Sequence, residues 1–408
     1  MKKNVDVCIV GGGMVGATLA CALAKNSDLS ILLVEAFPIS ESRAPESSEN
    51  QSSYDARSTA LSRGTAEIFH QLGCWTSMRT QAESIIDITV SEKGGFGTSR
   101  LSAIDQGVPA LGYVVENASL GKVLINQLFQ YSNIQIQSPA KVAAISFQTD
   151  GVSVSIEGDD ESSDVLTKLL IAADGQDSEL RTMLGIDVTC TDYGQKAIIA
   201  NVSPDREHMG LANERFTENG PLALLPLKDN RYSLVWSLEC QAAEETMALS
   251  DNDFMEKLQL QFGHRVGKFI KVGERFSYPL QLMRAKEQIR PRVVLVGNAA
   301  HTLHPVAGQG YNVAARDVAV LAAEIKQAYR NHHPIDNFDV LQGYWDKRRL
   351  DQEKTIQFSD NLLRLFNSES DVLRVARNMG LIGLDVWGLG KDIFAKHAMG
   401  AAHHVSVL

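Results

Sequence analysis

The chain has 408 residues, of which 44% are hydrophobic and 22% charged, and its formal net charge is −10. These values are typical of a globular protein of two or three domains, and the acidic surplus argues against a general nucleic-acid binder. The five cysteines show neither a CxxC nor a metal-ligand spacing, which favours reduced thiols in a reducing compartment. No stretch predicts a membrane span or a signal peptide, so the expected location is the cytoplasm.

The N-terminal residues predict a dinucleotide-binding βαβ unit. An apolar strand at 5–10 runs into a glycine-rich turn, a helix rich in small residues follows at 17–24, and a second strand at 31–34 ends in Glu35. The turn satisfies GxGxxG at Gly11, Gly13 and Gly16. These glycines permit the turn, a close approach to a pyrophosphate and tight helix–strand packing, and the acid suits an unphosphorylated ribose. The unit therefore predicts FAD or NAD and disfavours NADP.

The next segment contains a candidate phosphate ligand. A serine- and glutamate-rich stretch at 39–53 is expected to be a solvated loop, and residues 54–62 then lead into a helix. Arg57 lies in this second stretch. A guanidinium binds phosphate oxygens through paired hydrogen bonds, so Arg57 gains weight as a ligand if a diphosphate cofactor lies nearby.

The middle of the chain is dominated by predicted β-structure. Strands are expected at 85–90 and 99–103, a helix at 117–131, and a β-meander at 134–173 that ends in Asp174 and Gly175. Short alternating strands between 185 and 278 predict a separate antiparallel sheet, interrupted by one amphipathic helix at 253–262. Such a sheet is a suitable wall for a substrate pocket.

A second strand, glycine loop and helix lie near the C-terminal end. Residues 293–296 predict a buried strand closed by Gly297, and a helix is expected at 314–328. The loop between them contains Asn298, Pro305, Gly308 and Gly310. Amides at such a helix start favour negative charge on a ligand. Further helices are expected at 344–366 and, as a docked segment, at 372–398.

In order and wording, the two glycine loops, Arg57 and Asp174-Gly175 resemble the group A flavoprotein aromatic monooxygenases of the para-hydroxybenzoate hydroxylase type. The resemblance covers essentially the whole chain and implies an α/β fold. It implies a Rossmann-like FAD-binding domain at 1–80, 110–185 and 280–335, an inserted antiparallel-sheet substrate domain at 81–109 and 186–279, and a C-terminal helical region at 336–408.

The resemblance also assigns residues to the cofactor. It implies that FAD is bound by Gly11, Gly13, Gly16, Glu35, Arg57, Asp174, Gly175, Gly297, Asn298, Pro305, Gly308, Gln309, Gly310 and Asn312. One departure is Asn298, where the family usually has an aspartate. Asparagine still accepts a hydrogen bond from a ribitol hydroxyl but carries no charge, so the site is kept with altered electrostatics.

The same resemblance implies the chemistry. The sequence has no metal site, haem ligand set or nucleophile triad, so the oxygen chemistry must reside in the flavin. FAD and dioxygen would hydroxylate a phenol through a flavin C4a-hydroperoxide. Amides around Gly308 and Gly310 would stabilise the reduced flavin, Pro305 would stiffen the loop, and His304 would assist loss of the phenol proton. For His301 and His304, however, a purely structural role is the stronger interpretation.

The sequence does not determine the electron donor. No second GxGxxG is present for a nicotinamide cofactor, so either NAD(P)H visits transiently or a separate reductase supplies the electrons.

Within the family, GNAAHTLHPVAGQG and ERFTENGPLALLPL are most similar to bacterial hydroxylases of ubiquinone biosynthesis. This implies a polyprenyl phenol substrate of the 2-polyprenyl-6-methoxyphenol type, peripheral contact with the inner membrane, and other quinone-biosynthesis enzymes as partners, with a homo-oligomer left open. The alternatives are a sister hydroxylase acting on another ring carbon, a flavin dehydrogenase or reductase on the same fold, an NAD-dependent dehydrogenase, and a catalytically silent flavoprotein scaffold.

Overall fold

The computed structural model of the chain describes residues 3–39, 57–95, 97–159, 162–303 and 309–366. The predicted solvated loop, from residue 40 onward, and the predicted docked helix at 372–398 lie outside these residues. Within the described part, no helix combines the length and apolar character needed to cross a membrane.

The described strands and helices alternate along the chain. The strands are β1 (Lys3–Val10), β2 (Ile31–Val34), β3 (Ser58–Ser62), β4 (Glu83–Ile85), β5 (Asp87–Glu92), β6 (Thr98–Ser102), β7 (Gly112–Glu116), β8 (Ile134–Gln137), β9 (Ala140–Gln148), β10 (Gly151–Gly158), β11 (Ser162–Ala172), β12 (Val188–Pro204), β13 (Leu211–Thr217), β14 (Gly220–Leu227), β15 (Arg231–Glu239), β16 (Phe269–Ala285), β17 (Ile289–Arg290), β18 (Val293–Leu295) and β19 (His301–Thr302). The helices are α1 (Met14–Ala24), α2 (Arg63–Leu72), α3 (Trp75–Gln81), α4 (Asn117–Leu128), α5 (Glu179–Met183), α6 (Cys240–Met247), α7 (Asp251–Phe262), α8 (Gln309–Arg330) and α9 (Phe338–Phe366), with a 3-10 turn at Gly297–Ala299.

The first sheet has the order β17-β18-β11-β1-β2-β8, in which every pair except β17-β18 is parallel, and β10 and β9 extend it from β11. Its central strand β1 is apolar on both faces, as buried parallel strands are. Val7 and Ile9 pack towards α1 and α8. Cys8 and Val10 pack on the opposite side, towards β10 and α5. Covering on both faces explains why β1 reads as a continuous apolar run.

The second sheet has the order β19-β16-β12-β15-β14-β13-β5-β6 and is antiparallel except where β13 pairs with β5. One face is covered by α6 and α7, where Trp236 of β15 packs edge-on against Phe254 of α7. A third sheet, β3-β7-β4, lies against the other face, where Val114 joins a cluster with Ala212 and Leu227. The second sheet is therefore closed by helices on one side only.

The α/β fold class with a parallel sheet, an antiparallel sheet and a C-terminal helix is confirmed. The proposed domain boundaries stay a prediction. The β-meander at 134–173 was only partly right, because β8 pairs in parallel with β2 and β11 runs in parallel beside β1, leaving β9, β10 and β11 as the antiparallel part. The third sheet and helix α6 were not predicted, because a short strand or helix finds its partners only in the folded chain.

Candidate functional site

The parallel strands of the first sheet end at one level. Val10, the last residue of β1, pairs with Val34 at the end of β2 and with Ala172 at the end of β11. Ala172 pairs in turn with Leu295 at the end of β18. Parallel α/β sheets bind their ligands outside the carboxyl ends of the strands. The residues that follow these strand ends belong to motifs that are far apart in the sequence. They therefore lie along one edge of the sheet.

The glycine turn after β1 has no room for side chains. Gly11 has a φ of 103°, and a Cβ there would lie 2.4 Å from the carbonyl oxygen of Ala173. A Cβ at Gly16 would lie 1.9 Å from the carbonyl oxygen of Gly11. Helix α1 therefore starts in direct contact with the turn. Gly13 is its N-cap and supplies no side-chain hydrogen bond, so the first amides of α1 remain for an anionic ligand.

Glu35 lies beside this turn at the end of β2. Its carboxylate accepts hydrogen bonds from the amides of Gly12 at 2.5 Å and Phe37 at 2.9 Å. Burial raises the pKa of Glu35, and these backbone amides partly oppose that rise. A carboxylate has about four acceptor positions, so Glu35 can accept a further hydrogen bond from a ribose hydroxyl. The turn and this acid together fit the adenosine and diphosphate part of a dinucleotide.

The Asp-Gly element after β11 is held by hydrogen bonds to the start of the next helix. The Asp174 carboxylate accepts hydrogen bonds from the Ser178 hydroxyl at 2.6 Å and the Leu180 amide at 3.0 Å, so it holds the start of α5. Burial raises the pKa of this carboxyl group. Gly175 has a φ of 89° and faces open space within the described part of the chain. The backbone of Gly175 is therefore open at the strand ends, and contact of the Asp174 side chain with the cofactor stays a prediction.

Arg181, which sequence reasoning left without a role, joins this element to the second glycine loop. It is buried, and its guanidinium donates to the carbonyl oxygens of Ala299 at 2.9 Å and Gln176 at 2.8 Å. Asn298 lies in the same 3-10 turn as Ala299, and its side chain is exposed. The turn that carries Asn298 is thus fixed from the β11 side.

The start of α8 meets the start of α1. The Tyr311 hydroxyl lies 2.8 Å from Thr18 Oγ1, and Gly297 approaches so closely that a Cβ there would lie 3.0 Å from Val15. At Gly310 no described atom lies within 4 Å of the position that a Cβ would take. The two helix N-termini therefore face one space, as an extended dinucleotide requires.

The Asn312 side chain makes hydrogen bonds within the protein. Its side chain is buried, accepts hydrogen bonds from the Ser62 amide and the Thr65 hydroxyl, and donates to the Ala60 carbonyl oxygen at 2.8 Å. These bonds fasten α8 to the corner between β3 and α2. The side chain therefore helps to position α8, and contact of Asn312 with the cofactor stays a prediction.

Three of the implied catalytic residues, His304, Pro305 and Gly308, lie outside the described residues. Gln309 is described as the first residue of α8, without its side chain. Their roles stay predictions. Arg57 is described, and its guanidinium carbon lies 4.7 Å from the ring centroid of Tyr278 on the second sheet. Arg57 thus contacts the second sheet, and its role as a phosphate ligand stays a prediction.

His301 is part of a buried charged network that the sequence does not reveal. Its Nε2 lies 3.0 Å from Oδ2 of Asp317, and the other oxygen of that carboxylate accepts a hydrogen bond from Arg348 at 2.6 Å. Burial alone would raise the pKa of Asp317, but Arg348 and His301 outweigh it and the pKa is lowered. This contact supports the structural interpretation of His301.

The face of the second sheet that the helices leave uncovered carries a second feature missed by sequence reasoning. We call it the inner face, and its central row consists of Val90, Glu214, Ala223, Val235, Ile199 and Phe276, paired neighbour to neighbour across six strands. All six are half-buried, and Glu214 is the only polar residue among them. Burial raises its pKa to about 7. An acid at an inward position of an alternating strand was the available sequence signal.

This pKa has a consequence for stability. Between the ordinary glutamate value of 4.5 and about 7, the unfolded chain releases the proton while folded Glu214 keeps it, so wild-type stability falls as the pH rises through this window. The free energy of unfolding of Glu214→Gln, relative to that of the wild type, should therefore be higher at pH 8 than at pH 5. We expect this difference to be roughly 1–3 kcal/mol, allowing for partial solvent screening. Denaturant titrations of the holoprotein at both pH values measure this. An equal difference at both pH values would contradict the raised pKa, and Glu218→Gln, on the exposed turn of the same hairpin, is the control.

Comparisons with known proteins agree with this architecture. A sequence family described as FAD binding domain matches residues 4–359. The chain is 35% identical to the ubiquinone hydroxylase UbiL of Rhodospirillum rubrum, over 98% of this chain and 90% of that protein. It is 29% identical to the 3-demethoxyubiquinol 3-hydroxylase of Escherichia coli, over 98% and 99%.

A solved structure has the same fold. The p-nitrophenol 4-monooxygenase PnpA of Pseudomonas putida superposes with a TM-score of 0.78, at 19% identity, over 97% of this chain and 99% of that chain. The family match over most of the chain and the relative at 35% identity carry the assignment. This chain belongs to the FAD binding domain family of flavin monooxygenases, and it is an FAD-dependent monooxygenase.

Proposed function

We propose that the protein binds FAD along the aligned carboxyl ends of β1, β2, β11 and β18 and hydroxylates a polyprenylated phenol of the 2-polyprenyl-6-methoxyphenol type in ubiquinone biosynthesis. The observation that carries the proposal is the convergence at one edge of residues far apart in sequence, namely Gly11, Glu35, Gly175 and Gly297. The pathway is supported by relatives at 35% and 29% identity that are named as ubiquinone-pathway hydroxylases.

Each described part of the edge has a distinct task in this proposal. The uncapped amides of α1 bind the diphosphate, and Glu35 accepts hydrogen bonds from the adenosine ribose. Asn298, exposed on its turn, bonds the ribityl chain. The start of α8 at Gly310 lies against the flavin ring, where helix amides favour negative charge on reduced flavin. Pro305, Gly308, Gln309 and His304 complete this loop.

When bound, FAD supplies the reaction with dioxygen that places one oxygen atom on the substrate ring. The chain's own contribution is to position the ring and to exclude water. The half-buried apolar residues of the inner face suit an aromatic ring with a hydrocarbon tail. Arg57 stacks on Tyr278, which lies two residues beyond Phe276 on the same strand of this face. Electrons come from NAD(P)H or from a separate reductase.

A sister reaction at another ring carbon is the second candidate. The relative from Escherichia coli is named for hydroxylation at position 3 of a demethoxyubiquinol, and the chain covers 99% of that protein. The inner face accommodates either ring, and regiochemistry depends on how the ring is turned within it. Product analysis with both substrates separates the two candidates.

The substrate's tail sets the expected location. A polyprenyl phenol partitions into lipid, so we propose a cytoplasmic enzyme with peripheral contact to the inner membrane and to other quinone-biosynthesis enzymes, either as a monomer or as a homo-oligomer. In flotation with anionic vesicles, the holoprotein should move with the lipid fraction, alone or with those enzymes. A protein that stays at the bottom of the gradient in both cases would contradict the membrane contact.

A single turnover tests the function without knowledge of the reductant. The purified flavoprotein is photoreduced without oxygen and mixed with isotopically labelled dioxygen and a short-chain 2-prenyl-6-methoxyphenol. We expect mass spectrometry to find one labelled oxygen atom in a dihydroxylated product. Flavin reoxidation without labelled product, for this phenol and for a demethoxyubiquinol, would favour a flavin dehydrogenase or reductase instead.

A further inference from the structure

We propose that Glu214 is a catalytic residue that binds the phenol hydroxyl of the substrate and accepts its proton, from its position on the inner face. This inference rests on the proposed function and adds to it a defined contact. It also places the aromatic ring over Ala223 and Val235, the residues next to Glu214 along the central row.

The first argument is the position of Glu214. It pairs with Val90 on one side and Ala223 on the other, and side chains directly opposite each other in a sheet have Cβ atoms about 4.5–5.5 Å apart. The residues beyond Ala223 in the row, Val235 and Ile199, are apolar as well. A carboxylate therefore stands at the edge of an apolar strip wide enough for an aromatic ring.

The second argument is that the fold makes no use of this carboxylate. Among the described residues, none donates a hydrogen bond to it and none forms an ion pair with it. The residues on the covered face of the same strand behave otherwise, since Arg215 donates to the carbonyl oxygen of Gln261 on α7 at 3.1 Å. Burying a charge without a partner is unfavourable, so a half-buried carboxylate among apolar side chains is better explained by a ligand.

The other charged groups on this side have partners or lie farther along the strands. Arg231 pairs with Glu116 of β7 at 2.9 Å, and Arg57 stacks on Tyr278 at the far end of the row. Glu92 lies two residues beyond Val90 on β5, and Glu83 lies on β4 of the third sheet. Desolvation accounts for the raised pKa of Glu214, with no charged neighbour contributing.

The third argument is chemical. A phenol has a pKa of about 10, and a base is more effective as its own pKa approaches the working pH. Proton transfer from the phenol oxygen to the Glu214 carboxylate gives a phenolate and a neutral carboxylic acid. The phenolate oxygen then feeds electron density into the ring that receives the oxygen atom, while dioxygen and reduced FAD supply the oxidant and the electrons.

A binding measurement tests the contact without turnover. The dissociation constants of the oxidised holoenzyme for short-chain 2-prenyl-6-methoxyphenol and for its O-methyl ether are compared at pH 8. Because a hydrogen bond to a charged group is stronger than one to a neutral amide, we expect Glu214→Gln to lower the preference for the phenol about five- to tenfold. Glu218→Gln, on the exposed turn of the same hairpin, should keep the wild-type preference.

A single-turnover measurement tests the proton transfer. The rate of product formation in the wild type should rise with pH with a midpoint near 7, the pKa of Glu214. Glu214→Gln should lose this pH dependence, and its rate at pH 8 should be about 100-fold lower than that of the wild type. A ring-fluorinated phenol that is already ionised at pH 8 should restore most of that loss. Glu214→Asp keeps the charge on a shorter arm and should retain the pH dependence at a lower rate.

The outcomes separate this inference from the function on which it rests. A Glu214→Gln enzyme with wild-type phenol preference and an unchanged pH profile would show that Glu214 does not contact the hydroxyl, while hydroxylation itself would stand. A wild-type holoenzyme that hydroxylates no phenol would overturn both. Because glutamine keeps the shape of glutamate and removes a charge that burial opposes, we expect the variant to fold.

Discussion

Gly310→Glu is expected to fold normally and to lose FAD. Gly310 is in the first turn of α8, and no described atom lies within 4 Å of the position of its Cβ. A glutamate side chain therefore displaces no described part of the protein, and an acid in the first turn suits the helix dipole. The same side chain would occupy the space that we assign to the flavin ring.

The expected effect on FAD is large because a buried unpaired charge costs several kcal/mol, and each 1.4 kcal/mol changes a binding constant about tenfold. FAD per chain after gel filtration should therefore fall at least about tenfold, while the circular dichroism spectrum remains that of the wild-type apoprotein. Gly310→Ala, which adds one methyl group in open space, should keep its FAD. Full FAD content in Gly310→Glu would refute the placement of the flavin at the start of α8.

Arg348→Met is expected to cause a large loss of stability. Arg348 on α9 is 2% exposed and donates to Asp317 on α8 and to Asp351 on its own helix. Asp317 is fully buried and also accepts a hydrogen bond from Gln352 at 2.9 Å. Asp351 binds Arg316 at 2.9 Å as well. The arginine thus balances two carboxylates, of which one is fully buried and the other is 12% exposed.

Removing one partner of such a buried pair costs roughly 3–5 kcal/mol, because the remaining charge stays desolvated. A fall of several degrees in the melting temperature of the holoprotein should follow, since roughly 1 kcal/mol corresponds to about 2–4 °C for domains of 150–250 residues. Lys347→Met is the matched control on the same helix. Its side chain is 57% exposed and pairs with Glu324, so its loss should change stability by less than about 1 kcal/mol. Equal melting temperatures for the two variants would contradict the proposed contribution of the buried network to stability.

The network also explains why His301 was difficult to assign from the sequence. His301 lies three residues before His304, in a loop expected at the flavin, and this position alone suggests a catalytic acid or base. In the structure its Nε2 is directed to Asp317, sixteen residues later on a different element. Local sequence spacing cannot distinguish the two roles, because the partner is brought there by the packing of α8 against β19.

Several features of the site follow from local sequence. The first glycine turn is required by the backbone itself, since a Cβ at Gly11 or Gly16 would overlap a carbonyl oxygen. The parallel strands have continuous apolar runs because both faces of their sheet are covered. Glu35 stands at the end of β2, where the βαβ pattern predicts it. These features depend on a few neighbouring residues, and periodicity and glycine spacing reveal them.

By itself, therefore, the sequence determined the α/β class, the dinucleotide unit and the resemblance to flavin monooxygenases. Only the tertiary structure decided which side chains are left for a ligand. Asp174 and Asn312, which the resemblance assigns to the cofactor, also make hydrogen bonds within the protein, whereas Glu214, to which the resemblance assigns no role, lies among apolar residues of the inner face without a described partner. The physical reason is that a polar group's role depends on which hydrogen-bond partners the fold brings within about 3 Å of it, and those partners are distant in sequence.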